Sequence, residues 1–164
     1  MDPLLPAGAP PLCDWHPKVR RLFEYWNTRR PDPDLLPGRQ HFEPLDVVDL
    51  LPHLWIVEHD KAAGRLRYRL VGTRIVEAIG RDVTGRWFDE VHPEAAQRAG
   101  YLRAVAGLRA GVPIWRRGRP WYRVDPEIFE AERMLLPLAR DGRQVDMTLA
   151  ITIFFFKGGA EAFP

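Results

Sequence analysis

Serine is missing from all 164 residues of the chain, which excludes every hydrolase built on a serine nucleophile. Cysteine is almost as scarce. Cys13 has no second thiol to pair with, so no internal disulfide can form, in keeping with a reducing cytoplasm. It sits in a Pro-rich stretch with no packed scaffold to hold it against a base, and thiol catalysis is not expected. Lysine is limited to Lys18, Lys61 and Lys157, and the other basic residues are arginines. With a net charge of only +2, chance clusters of arginine weigh little as evidence for nucleic acid. No apolar run approaches the roughly 20 residues of a membrane-spanning helix. The opening MDPLLPAGAPPL puts Asp2 where a secretory signal has basic residues and prolines where it has an apolar helix, so a soluble, cytoplasmic protein is expected.

Several chemical motifs are absent as well. There is no GxGxxG, and the GxxxxG of Gly80 to Gly85 continues with Arg86 and Trp87 where a P-loop needs Lys and Ser or Thr. The histidines His16, His41, His53, His59 and His92 show neither HExxH nor tight Cys/His spacing, so no metal site is expected. Glu77, Asp82, Asp89 and Glu90 read as helix-end and turn acids rather than a catalytic pair.

What is present is one domain's worth of patterned chain, 46% apolar. Residues 1–13 read as a flexible Pro-rich tail, 14–156 as the domain and 157–164 as a C-terminal tail. From Pro17, Val19, Leu22, Phe23 and Trp26 recur at the spacing of an amphipathic helix. Pro31, Pro33 and Pro37 break it, and a second short helix is expected from Pro44 to before Pro52. Leu54 to His59 follows as a strand, and KAAG turns the chain into the next. From His92 and Pro93 a single long helix is predicted to about Ala110, with Ala95, Leu102, Val105 and Leu108 buried. Val112 to Val124 reads as an edge strand interrupted at Gly118 and Pro120. The last hairpin runs Glu132 to Ala139 and Gln144 to Phe156 around Asp141-Gly142.

The most specific stretch is Arg65 to Val91. Leu66, Tyr68 and Leu70 alternate with arginines as a half-buried strand. Gly72 stops it, Ile75, Val76 and Ile79 mark a short helix, and Gly80 suits a left-handed helix terminator. Asp82 to Gly85 has the Asp-first, Gly-fourth order of a type I turn. This segment, GTRIVEAIGRDVTGR above all, resembles the corresponding part of PAS domains, most closely a family of compact bacterial PAS proteins. The resemblance extends from about His16 to Phe156. It implies an α+β fold, a five-stranded antiparallel sheet with helices on one face plus the N-terminal amphipathic helix. It also implies a non-catalytic sensory role through a small molecule or a partner signalling protein.

A pocket is then expected between the sheet's inner face and the short helices, lined by Tyr68, Leu70, Ile75, Ile79, Phe88, Leu102, Val105, Leu136 and Met147, with Tyr68, Thr73 and Arg74 for polar contacts. On the last strand, Val145, Met147, Leu149, Ile151, Ile153 and Phe155 form an unbroken apolar face, while Asp146, Thr148 and Thr152 opposite give way to Phe154 and Phe156. Phe23 and Trp26 are expected to cover Phe154 and Phe156, from the same chain or a second copy, and a homodimer is predicted. Cys13 is misplaced for the flavin adduct of light-sensing relatives. His92 falls just before the long helix, where haem-binding PAS domains hold their iron ligand, but His-Pro at a helix start is more simply a cap. With only KGGAEAFP after the last strand, output is expected through a partner. Two other classes stay open: a nucleic-acid or anionic-ligand module using the basic aromatic segment Trp115 to Arg123, and a small-molecule enzyme using Glu77, Asp82 and His92.

Overall fold

The computed structural model describes residues 3–164, and Met1 and Asp2, at the head of the expected tail, lie outside the described residues. The elements are α1 (Pro17–Thr28), β1 (Leu54–Asp60), β2 (Arg65–Val71), α2 (Thr73–Ile79), α3 (Phe88–Val91), α4 (Pro93–Ala96), α5 (Ala99–Arg109), β3 (Ile114–Gly118), β4 (Ile128–Leu138) and β5 (Met147–Phe156). The second short helix is a 3-10 turn over Pro44–Val47. The five strands form one antiparallel sheet in the order β2-β1-β5-β4-β3. Strand β5 is central, which is why its sequence is apolar on both faces for much of its length. Strand β3 is an edge, as the interruption expected at Gly118 and Pro120 suggests. Among the described residues no helix is long and apolar enough to cross a membrane.

Helix α1 starts as its sequence predicts. Pro17 occupies the first turn, the His16 side chain accepts from the Lys18 N–H, and Val19, Leu22, Phe23 and Trp26 are buried. They pack on Met134, Leu136, Leu138, Leu149, Ile151, Ile153 and Phe155. The Trp26 indole N–H donates to the Pro137 carbonyl at 3.0 Å. The other face of the sheet is covered by α2 to α5.

This assignment of layers corrects two expectations. Phe23 and Trp26 dock within their own chain, but not on Phe154 and Phe156. Those two lie on the opposite face, Phe154 with Ile75, Ala78 and Ala131, and Phe156 against the same cluster. Leu136 and Met147 belong with the α1 core, not with the face toward the short helices. Alternation separates the faces of β5 correctly. The unbroken apolar face lies under α1, and the face bearing Thr148 and Thr152 lies under the short helices.

Leu70 is a third correction. Val57 pairs with Tyr68 and Ile56 with Leu70, so Arg69 is an extra residue on β2. Such a bulge inverts the alternation beyond it. Leu70 falls on the face of Ile56 and is 38% exposed.

The long helix is not continuous. Arg98 is extended (φ −77°, ψ 134°) and separates α4 from α5. Gly100 and Gly107 weaken helical preference here. Ala95 and Leu108 are buried as expected, but Leu102 is 56% exposed. The strand expected to reach Val124 ends at Gly118. Strand β4 starts at Ile128, where Asp125 accepts from the Glu127 N–H and the Ile128 N–H in a tight turn. Strand β5 starts at Met147, because Asp141 holds the N–H groups of Arg143 and Gln144 in the turn.

Two glycines are dictated by their surroundings. At Gly72 a Cβ would lie 2.3 Å from the Pro52 carbonyl oxygen, so no larger residue fits where β2 passes to α2. Gly85 has φ 82°, and the Arg86 N–H donates to the Val83 carbonyl. The turn is therefore Val83 to Arg86, one residue later than expected, with Gly85 third, where a type II turn requires positive φ. Near the ends of the described residues, Leu4, Ala9 and Leu12 pack on the α1 core, and Ala162 and Phe163 on the cluster beneath α2.

Candidate ligand site

Between the sheet and helices α2, α3 and α5 lies a cavity of about 430 Å³, within the range of about 300–1,000 Å³ usual for ligand pockets. Of the residues expected to line it, Tyr68, Ile75, Ile79, Phe88 and Val105 do so. Leu70, Leu102, Leu136 and Met147 do not, for the reasons of bulge, helix break and face given above. Thr73 is exposed, and Arg74 is held away by Glu77 (3.0 Å) and the Pro164 carbonyl (3.1 Å).

Each strand contributes to the lining: Trp55 and Val57 from β1, Leu66 and Tyr68 from β2, Ile114 and Arg116 from β3, Arg133 and Leu135 from β4, and Thr148 from β5. The opposite wall is aromatic. Phe88 stacks on Tyr101 (5.1 Å, 11°) and lies 5.7 Å from Tyr68, and Trp121 and Tyr122 meet edge to face at 5.1 Å. These two come from the basic aromatic segment, while its Trp115 packs on the α1 side. That segment is thus divided between two layers and offers no continuous stacking surface.

The polar groups are few and mostly buried. The Tyr68 hydroxyl and His92 Nε2 lie 2.9 Å apart. Burial, and to a lesser degree Arg81, lowers His92 to about 4, and burial raises the Tyr68 phenol, so both are neutral at pH 7. His59 Nε2 lies 2.8 Å from Thr148 Oγ1, its Nδ1 has no partner, and burial lowers it to about 4 as well. Trp55 donates its indole N–H to Thr152 Oγ1 at 3.0 Å.

Among the lining residues that sequence reasoning missed, which include Trp55, Val57, Leu66, Tyr101, Trp121 and Tyr122, Arg133 is the buried charged one. It is only 8% exposed, its Nε has no partner, and its guanidinium lies 5.3 Å from the Trp121 ring and 5.6 Å from the Tyr122 ring. One readable signal existed. Arg133 shares the strand parity of Ala131 and Leu135, so a charge there points to a buried face.

The residues of the enzyme alternative do not converge. Glu77 pairs with Arg74, and Asp82 accepts from the Thr84 N–H and hydroxyl in an exposed turn. Only His92 of the three reaches the cavity. Among the described residues no group of three His, Cys, Asp or Glu side chains is arranged to hold a metal. Cys13 is exposed in a 3-10 turn and is not among the cavity's lining residues.

A family profile described as PAS domain matches residues 15–152. No curated protein matches the chain. Similar solved structures include the d2 variant of RsLOV (14% identity, 62% of this chain and 58% of that one, TM-score 0.45). A sensory box sensor histidine kinase from Vibrio cholerae is similar too (16%, 69% and 89%, 0.48). So is an RNA-binding light-oxygen-voltage receptor (15%, 76% and 35%, 0.48). This chain therefore spans little more than half of the first and about a third of the last.

Proposed function

The chain belongs to the PAS domain family, and from that premise we propose that it is a sensory domain that holds a small molecule non-covalently in the 430 Å³ cavity and reports its presence to a partner protein. PAS domains are generally non-catalytic sensory modules. The observation that carries the reading is the difference in filling across one sheet: α1 closes one face with fully buried side chains, while the other retains a ligand-sized space walled by aromatic rings. Helices α2, α3 and α4 have seven, four and four residues, so each has few internal hydrogen bonds and depends on what it packs against. A ligand against Tyr68, Ile75 and Phe88 would bias their positions, and a partner reading that surface would receive the signal. Phe23 and Trp26 are buried within the chain.

Mass spectra of the purified protein under native and denaturing conditions test this. A compound present in the native spectrum and released on denaturation supports the reading. Tyr68→Trp should reduce its retention more than it reduces stability. If no compound is retained and Tyr68→Trp only overpacks a filled core, at about 1–3 kcal/mol, the chain is an interaction module without a ligand.

A further inference from the structure

We propose that the cavity is built for a small aromatic carboxylic acid, bound as its anion with the carboxylate on the Arg133 guanidinium. This rests on the cavity being a ligand site and names the ligand's chemistry.

Arg133 lies nine-tenths buried in the cavity wall. A buried cation is expensive unless it is paired, and the usual partner is a carboxylate. Among the described residues none is within ion-pair reach of it. Its strand neighbours Glu130 and Glu132 serve other groups. Glu130 pairs with Arg117 at 3.0 Å, and Glu132 accepts from the His16 N–H (2.9 Å) and the Trp115 indole N–H (3.0 Å) and pairs with Arg117 (3.5 Å). What Arg133 does have is neutral: the Trp121 and Tyr122 rings and the Tyr122 hydroxyl. Its Nε donor remains without a partner. The one strong interaction a guanidinium is shaped for, two parallel hydrogen bonds to a planar anion, is one that no described residue supplies.

The rest of the lining agrees in sign. Among the described residues it contains no Asp or Glu, and its other two charged residues are Arg98 and Arg116. Both are exposed, so they mark the mouth, between the start of α5 and strand β3. Two exposed cations at the mouth and one within draw an anion inward. The remaining wall is Tyr68, Phe88, Tyr101 and Trp121, which suits a flat apolar body. With one buried cation, the charge that balances is a single negative one. A phosphate dianion would bring a second charge into an apolar wall.

Isothermal titration of the full chain with phenylacetate, its neutral amide phenylacetamide and phenyl phosphate tests the proposal. The acid should bind wild type about ten- to hundredfold more tightly than the amide, the worth of one charge-assisted contact. Arg133→Gln should remove that preference, with circular dichroism and melting confirming its fold. The exposed double variant Arg98→Gln/Arg116→Gln should slow association and flatten its salt dependence while keeping the preference for acid over amide. Equal binding of acid and amide to wild type, or a preference that survives Arg133→Gln, overturns the proposal. Tighter binding of phenyl phosphate than phenylacetate overturns the carboxylate assignment. Failure of both acid and amide to bind also overturns it. In each of these cases a neutral compound in the native mass spectrum leaves the sensory reading standing, and no retained compound removes both.

Discussion

The α1 face and the cavity face are made from alternate residues of the same strands, yet they solve opposite problems. Under α1 the strands present Met134, Leu136, Leu149, Ile151 and Ile153, and one continuous helix, helped by Trp15, Leu36, Val47 and Leu50, packs on them. Under α2 to α5 the same strands present Arg133, Leu135, Thr148 and Thr152, and the cover is divided into short helices. The first face is dry and close-packed, which gives stability and one fixed geometry. The second carries hydrogen-bonding side chains and a cavity, so its packing is incomplete and its cover can adjust. The face with the weaker apolar pattern is the one that retains a cavity. A surface that has to meet a ligand keeps polar groups that a surface meeting only a helix would lose.

The sharpest way to break this contrast is to damage the dry face. Trp26→Ala should cost about 3–5 kcal/mol, because it removes a fully buried indole and leaves the Pro137 carbonyl without its donor. Chemical denaturation measures it. A loss under about 1 kcal/mol would mean that α1 is peripheral.

The cavity face should respond to acid. His59 and His92 are buried neutral, with folded-state values of about 4 against an ordinary 6.5. Between pH 6.5 and 4 the unfolded chain binds more protons than the folded one, so stability is complete above 6.5 and falls as pH drops toward 4. Each histidine contributes at most about 1.4 kcal/mol per pH unit in that window. In His92→Phe the fall in denaturation midpoint from pH 7 to 5 should be shallower by one proton's worth. An unchanged slope would show that His92 is solvated.

At the junction between the layers, Gly85→Val should destabilise by about 1–3 kcal/mol, since Gly85 has φ 82° and a β-branched residue is strained there. No atom lies within 4 Å of a Cβ built at Gly85, so the cost is backbone strain alone and Gly85→Ala should share most of it. A full-strength Gly85→Ala would locate the fault in the turn rather than in side-chain fit.

The smallest expected effect falls on the cavity's own charge. Arg133→Met should leave unliganded stability unchanged within about 1 kcal/mol or raise it, because it exchanges a buried cation with no acidic partner among the described residues for an apolar side chain. Thermal melting checks this, and a loss comparable to that of Trp26→Ala would place Arg133 among the structural residues.

Much of this was legible in the chain itself. The amphipathic α1, the β1–β2 and β4–β5 hairpins and the Thr73–Ile79 helix closed by Gly80 all follow from period, proline and glycine. Tyr68, Ile75, Ile79 and Phe88 could be named as neighbours because they lie on or beside that segment, and Val105 because it falls on the apolar stripe of the helix that follows. Leu70 failed because a bulge leaves no mark in the alternation that precedes it. Leu102 failed because the helix breaks at Arg98 with no proline or turn residue to announce it. Leu136 and Met147 failed together, for one reason: a strand's period divides its residues into two faces without saying what covers either.

The sequence by itself determined the strand and helix periods, the positions of the turns, and the chemistry the chain lacks, because these depend on residues close together or absent altogether. Only the tertiary structure decided which face of β5 meets α1, that Trp121 and Tyr122 turn toward Arg133, and that no acid among the described residues comes within ion-pair reach of that arginine. Those facts join residues on separate elements, and a guanidinium's pairing is set by which side chains the completed fold brings within a few ångströms of it.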